Sequence, residues 1–382
     1  MEVWNYIVNL WSNLGGGLTN WLSERFADWV VYLVMALIDI FVVINVILMT
    51  VLAFIWVERR LLAGFQIRYG PNRVGPFGLL QPVADAIKVL TKEDIIPTDA
   101  DHLIHYLAPV VAFVPLLLTF AVIPFGKGAI LADLNVGMLY IVSVGTIGGI
   151  GVFMAGWSSN NKYSLLGAMR EISQMVSYEV PIVLSIIGVV MVAGSLSLQS
   201  IVEAQSVPFI LLQPLGFLIY LIAVSAQINR SPMDLVEAEC ELVAGFHTEY
   251  SSMKFGLFYL NEYGSAFAAS AIMTTLFLGG WQGPLLPPYV WFAIKVFALF
   301  GLFVWMRATL PRVRIDQVMH FGWKFLLPIA LVNVFITAVE LAVWPAYPWY
   351  LLFVNMALAV VLIVGWAGMF KLRGGVPVGA ER

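Results

Sequence analysis

Between Asn229 and Glu262 the chain reads NRSPMDLVEAECELVAGFHTEYSSMKFGLFYLNE. Six of these side chains are carboxylates (Asp234, Glu237, Glu239, Glu241, Glu249 and Glu262), opposed only by Arg230 and Lys254. If the stretch is helical, Asp234, Glu237 and Glu241 share one face at i, i+3 and i+7, with Glu239 turned away. Carboxylates so placed raise one another's pKa values and titrate as a coupled set. The flanking sequence is apolar enough for a bilayer, where an acid costs roughly 2.5–3.5 kcal/mol and often marks an ion path. Two readings fit. One is a proton-holding cluster lining a wet cavity, with burial poising Glu237, Glu239 and Glu241 near pH 7 rather than near 4. The other is a solvated acidic loop between two spans.

The elements that must carry these groups follow from composition. The 382 residues are 61% hydrophobic and 11% charged, with mean hydropathy +0.90, where a soluble domain carries about 25% charge. The class expected is an all-α polytopic membrane protein. Nine apolar stretches each approach the roughly 20 residues a bilayer requires. They lie near 32–57, 104–124, 137–157, 178–194, 208–227, 255–280, 289–307, 323–344 and 349–370. Residues 1–31, with Trp4, Trp11, Trp21 and Trp29 around Gly15-Gly16-Gly17, read as an interfacial segment. A single transmembrane domain then covers 32–370, followed by a tail at 371–382. No Lys or Arg precedes Arg25, which argues against a cleaved secretory signal.

Of the 20 Lys and Arg residues, all but Arg25, Lys127 and Lys295 fall on one side of this arrangement. The positive-inside rule therefore places the N-terminus outside and the C-terminus in the cytoplasm, with the acidic loop 229–255 on the cytoplasmic side. A net charge of −3 says little about partners, and no nucleic-acid partner is expected. The one cysteine, Cys240, excludes an internal disulfide and a cysteine-held iron–sulfur cluster.

A second informative region spans 58–103. GFQIRYGPNRVGPFG, Gly64 to Gly78, has four glycines and two prolines and is no helix. Beyond it Leu79, Val83, Ile87 and Leu90 make an apolar stripe opposite Gln81, Asp85, Lys88 and Lys92. Such a helix lies in the interface plane, as a surface anchor or along a partner. Two further cytoplasmic stretches carry charge: Arg170 and Glu171, with Glu179 just inside the fourth span, and a short basic turn with Arg307, Arg312, Arg314 and Asp316. The arginines are ordinary anchors or docking groups for an acidic surface. His102 and His105 lack a third ligand nearby and read as loop histidines. His247 is a plain loop residue or a proton shuttle. Asp39, Lys295 and Glu340 lie inside spans near their outer ends, where they snorkel or, in the case of Lys295, pair with one of the acids.

WVERRLLAGFQIRYGPNRVGPFGLLQPVADAIK, REISQMVSYEVP, the acidic stretch and RATLPRVRIDQVMHFGWK, in this order, resemble the ND1 family, the H-type membrane subunits of proton-pumping NADH:quinone oxidoreductase (respiratory complex I). The likeness covers about Trp56 to Trp323, departing at Met233, where an aromatic is expected, and at Cys240, where a small residue is usual. The resemblance implies a subunit that joins the membrane and hydrophilic arms and builds most of the quinone chamber. It would line that chamber with Glu58, Arg59, Phe65, Gln66, Arg68, Arg73 and Asp85. It implies a proton path through Glu171, Glu179, Asp234, Glu237, Glu239, Glu241, Glu249 and Glu262. Quinone is then the bound substrate, while FMN and iron–sulfur clusters belong to partner subunits and this chain holds no redox centre. The partners implied are the other complex I subunits of both arms and the lipid bilayer. The location implied is a bacterial-type plasma or inner membrane, or an organellar inner membrane in a eukaryote. Two rival functions are a membrane component of a membrane-bound hydrogenase or related oxidoreductase, and a stand-alone ion transporter. No internal repeat of the transporter kind is present.

Overall fold

The computed structural model describes residues 23–236, 239–344 and 351–373. Most of the interfacial segment, Glu237, the start of the last apolar stretch and nearly all of the tail lie outside the described residues. In chain order the helices are α1 (Asp28–Phe65), α2 (Gln81–Thr91), α3 (His102–Phe120), α4 (Gly137–Ser158) and α5 (Lys162–Ala193). Then come α6 (Leu198–Ala204), α7 (Phe209–Leu212), α8 (Pro214–Gln227), α9 (Glu239–Leu242) and α10 (Ser252–Phe277). The last are α11 (Pro288–Thr309), α12 (Ile315–Phe321), α13 (Leu327–Val343) and α14 (Leu351–Arg373). Among the described residues there is no strand, only a backbone bridge between Gly126 and Ala129.

Among the described residues six helical runs are long and apolar enough to cross a membrane: α1, α3, α4, α5, α11 and the Ile315–Val343 run made of α12, a π turn at Gly322–Leu326 and α13. Two shorter apolar helices are α8 and the Leu351–Trp366 part of α14. At 1.5 Å per residue the 38 residues of α1 reach about 57 Å and the 32 of α5 about 48 Å, against roughly 30 Å of hydrocarbon. These overruns correct the sequence reading at two places. The first helix does not stop at residue 57 but carries Glu58, Arg59 and Arg60 onward to Phe65. The fourth begins at Lys162, so Arg170, Glu171 and Glu179 stand on one helix, with Pro181 inside it. The stretch at 208–227 is broken at Gln213, and the basic turn after α11 holds the start of α12.

Helix α10 occupies the middle. Every residue from Ala266 to Phe277 is buried, as expected of a helix apolar all round. Phe54 of α1 stacks on Phe300 of α11 at 3.9 Å and meets Phe267 of α10 edge-on at 5.4 Å. Helix α5 packs against α4, α8 and α13, and its Gly167 closes on the turn at Gly245–His247. A Cβ on Gly167 would lie 2.9 Å from Gly245 Cα and Phe246 N.

That approach gives a prediction. Gly167→Ala should destabilise by about 1–3 kcal/mol through overpacking. Gly145→Ala in α4, where a Cβ meets nothing within 4 Å, should be neutral or stabilising by up to about 1 kcal/mol. Thermal unfolding of both variants in detergent checks the contrast.

Candidate functional site

The overrun of α1 holds Glu58, which is 1% exposed. Arg230, in the loop after α8 and 3% exposed, places Nη1 2.8 and 2.9 Å from the two Glu58 oxygens. Arg307, in the last turn of α11, also donates to Glu58 Oε1. Glu262 of α10 lies 3.4 Å from Arg230 Nη2, and the Tyr263 ring packs 4.4 Å from the Arg230 Cζ. Two carboxylates and two guanidiniums thus meet with no net charge, which is what lets Glu58 and Arg230 be buried. Arg307 is no plain anchor: its charge is used inside the fold.

At the next residue of α1, Arg59 Nη1 sits 2.5 Å from Asp85 Oδ2, and Gln81 Nε2 donates to Asp85 Oδ1 at 3.1 Å. This pair docks α2 on α1 and leaves Leu79, Val83, Ile87 and Leu90 exposed. Between the helices, Trp56 Nε1 and Arg60 Nη1 both donate to the Phe77 carbonyl at 3.2 Å. The loop needs glycine at 78, where φ is +74° and a Cβ would strike the Pro71 backbone. Phe65, Gln66, Arg68 and Arg73 are exposed on this loop, with Arg68 Nε 2.6 Å from Gln66 Oε1. Ile67 and Tyr69 beside them are almost fully exposed, at 96% and 94%.

The acidic stretch is not one helix. Pro232 precedes Asp234, a single helical turn covers Glu239–Leu242, and left-handed residues at Val243 and Gly245 break the chain before α10 begins at Ser252. Asp234 and Glu241 therefore do not share one helical face, and Glu237 lies outside the described residues. Glu241 is exposed, and its hydrogen bond from Arg170 (Nη1 to Oε2, 2.5 Å) holds its carboxyl below the usual range, not near 7. Glu249 accepts from Asn161 Nδ2 at 2.6 Å, and of Glu239 the backbone alone is described. Asp234 is half-buried just before this segment.

The buried acids lie deeper. Gln174 Nε2 donates to the carbonyls of Ala226 (2.7 Å) and Met233 (2.9 Å), pinning the loop where Asn229, at φ +52°, turns its Nδ2 to within 2.6 Å of Glu171 Oε2. Glu171 and Glu179 line a cavity of about 160 Å³ with Tyr220, Gln227, Asn261 and Ser265, and Thr146 donates to Glu179. A second cavity of about 70 Å³ shares Glu171, Gln227 and Asn261 and reaches Glu262 and His247. A water needs about 10–15 Å³ of such volume, so the pair has room for several. Burial pushes His247 down to about 4, so it is neutral at pH 7.

Other sequence expectations resolve differently. His105 is no loop residue: it lies buried in the first turns of α3, stacked 4.0 Å from Tyr250. Lys295 Nζ donates to the carbonyls of Leu278 (2.7 Å), Gly280 (2.9 Å) and Gln282 (2.6 Å), closing the end of α10. Sequence reasoning left Arg230, Arg307 and Tyr263 out of the site. The available signal was the arginine beside six acids and another at an apolar helix end.

Arg230→Leu should cost about 3–5 kcal/mol, because it leaves the buried Glu58 with Arg307 alone and removes the ion pair of Glu262. Glu58→Gln, which leaves Arg230 with Glu262, should cost less; unfolding midpoints in detergent give the order. His247 contributes a pH term of known sign. Its folded value lies below the ordinary 6.5, so the unfolded chain binds the proton first and stability falls as pH drops from about 6.5 to about 4. His247→Phe should flatten that part of a stability–pH profile.

The family model described as NADH dehydrogenase matches residues 38–338. The H-type subunit of NADH-quinone oxidoreductase from Dehalococcoides mccartyi is 61% identical over 350 residues, covering 91% of this chain and 98% of that one. The second H-type protein of the same name from Geobacter sulfurreducens is 56% identical over 293 residues, 74% of this chain and 89% of its own. The counterpart from Bacillus cytotoxicus is 49% identical over 322 residues, 83% and 96%. With the match running from the first long helix through the Glu58 network to α13, the chain belongs to the NADH dehydrogenase family.

Proposed function

We propose that the chain is the membrane subunit of an NADH-quinone oxidoreductase that forms the quinone access chamber and a carboxylate path coupling quinone reduction to proton translocation. The observation that carries this reading is a continuity. Cavities lined by Glu179, Glu171 and Glu262 lead to the buried Glu58–Arg230–Arg307 network, and Glu58 is the immediate chain neighbour of Arg59, which leads on to the exposed basic loop. Phe65, Gln66, Arg68 and Arg73 form an open, half-apolar surface that a neighbouring component of the hydrophilic arm would close into a chamber for an amphiphile with a polar head. FMN and iron–sulfur clusters belong to such partners; this chain supplies walls and charges. The proposed topology has nine spans, the N-terminus outside and the C-terminus in the cytoplasm, in a bacterial-type plasma membrane.

The chemistry required of these residues is modest. Quinone takes two electrons and two protons to become quinol, and negative charge in the chamber precedes proton arrival. At 10 Å and an effective dielectric of about 20, one such charge acts on a buried acid by about 1–2 kcal/mol, roughly one pKa unit. Glu262 and Glu58, held by the shared Arg230, are placed to feel that charge. Glu171 and Glu179 are placed to pass the resulting proton shift along hydrated cavities.

Glu171→Gln should lower quinone-linked NADH oxidation and proton pumping together by about tenfold or more. Glu241→Gln, at the exposed Arg170 pair, should change both by less. Equal, wild-type pumping in assembled Glu171→Gln and Glu179→Gln complexes would remove the path. Arg73→Ala should raise the apparent KM for quinone while NADH oxidation by artificial acceptors stays intact. Loss of both activities in step would point to failed assembly instead.

A further inference from the structure

A third pocket, buried and polar, lies at the other end of the bundle, where α5 and α13 finish and α8 and α14 begin. It is lined by Gln213, Asn333, Thr337, Glu340 and Asn355 among apolar neighbours and has a volume of about 20 Å³. Glu340 is 6% exposed, Gln213 4% and Asn333 8%. Gln213 sits in the break between α7 and α8 and donates from Nε2 to the Gly188 carbonyl at 3.0 Å and to Thr337 Oγ1 at 3.4 Å. Asn355 Nδ2 donates to the Leu212 carbonyl at 2.8 Å and to Glu340 Oε2 at 3.2 Å.

Two buried atoms of this pocket have no hydrogen-bond partner: the acceptor Gln213 Oε1 and the donor Asn333 Nδ2. They converge. A Cβ built on Gly216 would lie 3.4 Å from the first and 3.5 Å from the second. A donor and an acceptor left over around one polar void, each costing about 1–3 kcal/mol if unmet, describe the surroundings of a water molecule. The volume exceeds the roughly 10–15 Å³ one water needs. The carboxyl beside it is three residues from the end of α13, about 4.5 Å along the axis. An acid at such depth in a membrane is a functional candidate by default.

We infer that this pocket binds one water molecule between Gln213 Oε1 and Asn333 Nδ2, and that this water and Glu340 form a proton-exchange site at the end of the bundle opposite the Glu58 network. The water accepts from Asn333 and donates to Gln213, leaving its second O–H for the carboxylate. The proton role rests on the proposed coupling of this chain to proton translocation; the water site does not.

The test uses the complete oxidoreductase, imaged at a resolution that shows buried waters and assayed in liposomes. A density within about 3.3 Å of both atoms is expected, and Asn333→Leu should remove it. A site without density where other internal waters are visible would overturn the water assignment. Glu340→Gln keeps the size of the side chain and an oxygen to accept from Asn355 but cannot take up a proton. It should keep the water and NADH oxidation by artificial acceptors while lowering protons pumped per NADH. A wild-type pumping ratio in Glu340→Gln, with Glu171→Gln impaired, overturns this site alone. A wild-type ratio in both overturns the coupling path as well.

Discussion

Two arginines sharing one buried glutamate set the terms for the end of the bundle where they meet. Glu58, Arg230, Arg307 and Glu262 come from α1, the loop after α8, α11 and α10, so four remote parts of the chain must arrive together or each carries an unmet charge. Stranding one such charge costs several kcal/mol, whereas the complete set is close to neutral in its net effect on stability. The network is therefore better understood as a constraint on arrangement than as a source of stability. It also places balanced, polarisable charge between an exposed basic loop and a pair of hydratable cavities.

Helix length is what brings that network into being. Had α1 and α5 ended where the hydrocarbon does, Glu58 would stand in a surface loop and Glu171 in a linker. Instead both helices overrun the bilayer thickness, and the overruns pack against the loops that cross them. Gly167 allows one close crossing, at Gly245, and Gly78 permits the fold of the basic loop back onto α1. The acidic stretch is then pulled apart: Asn229 and Glu262 face the interior, while Glu241 faces Arg170 outside. One run of acids in the sequence thus supplies two chemically different populations.

The same division into opposed ends recurs in the polar groups of the spans. At one end Arg230 and Arg307 neutralise carboxylates; at the other Lys295 is spent on three carbonyls, and Glu340 is met by the amide of Asn355. Carbonyls and amides offer partial charges only, in contrast to the guanidiniums at the first end.

Class and family resemblance were legible in the residues, because each depends on composition or on the order of motifs along the chain. Runs of about 20 apolar residues declare helices whatever their neighbours, and so most spans were locatable in advance. Their ends were less so: Glu58-Arg59-Arg60 looks like a terminus, yet the helix continues because those charges find partners on other elements. The pairing itself was illegible. Arg307 lies 249 positions from Glu58 and Arg230 lies 172, and periodicity carries no information across such separations. The expectation that Asp234 and Glu241 stand on one helical face failed for a related reason, Glu237 lying outside the described residues. It assumed helical spacing, whereas Pro232, Val243 and Gly245 leave a broken loop whose residues are distributed by what packs against them. Sequence determined which charges the membrane must accommodate; only the tertiary structure decided which of them meet, because a buried charge is stabilised by whatever folding brings within about 3 Å and not by its neighbours along the chain.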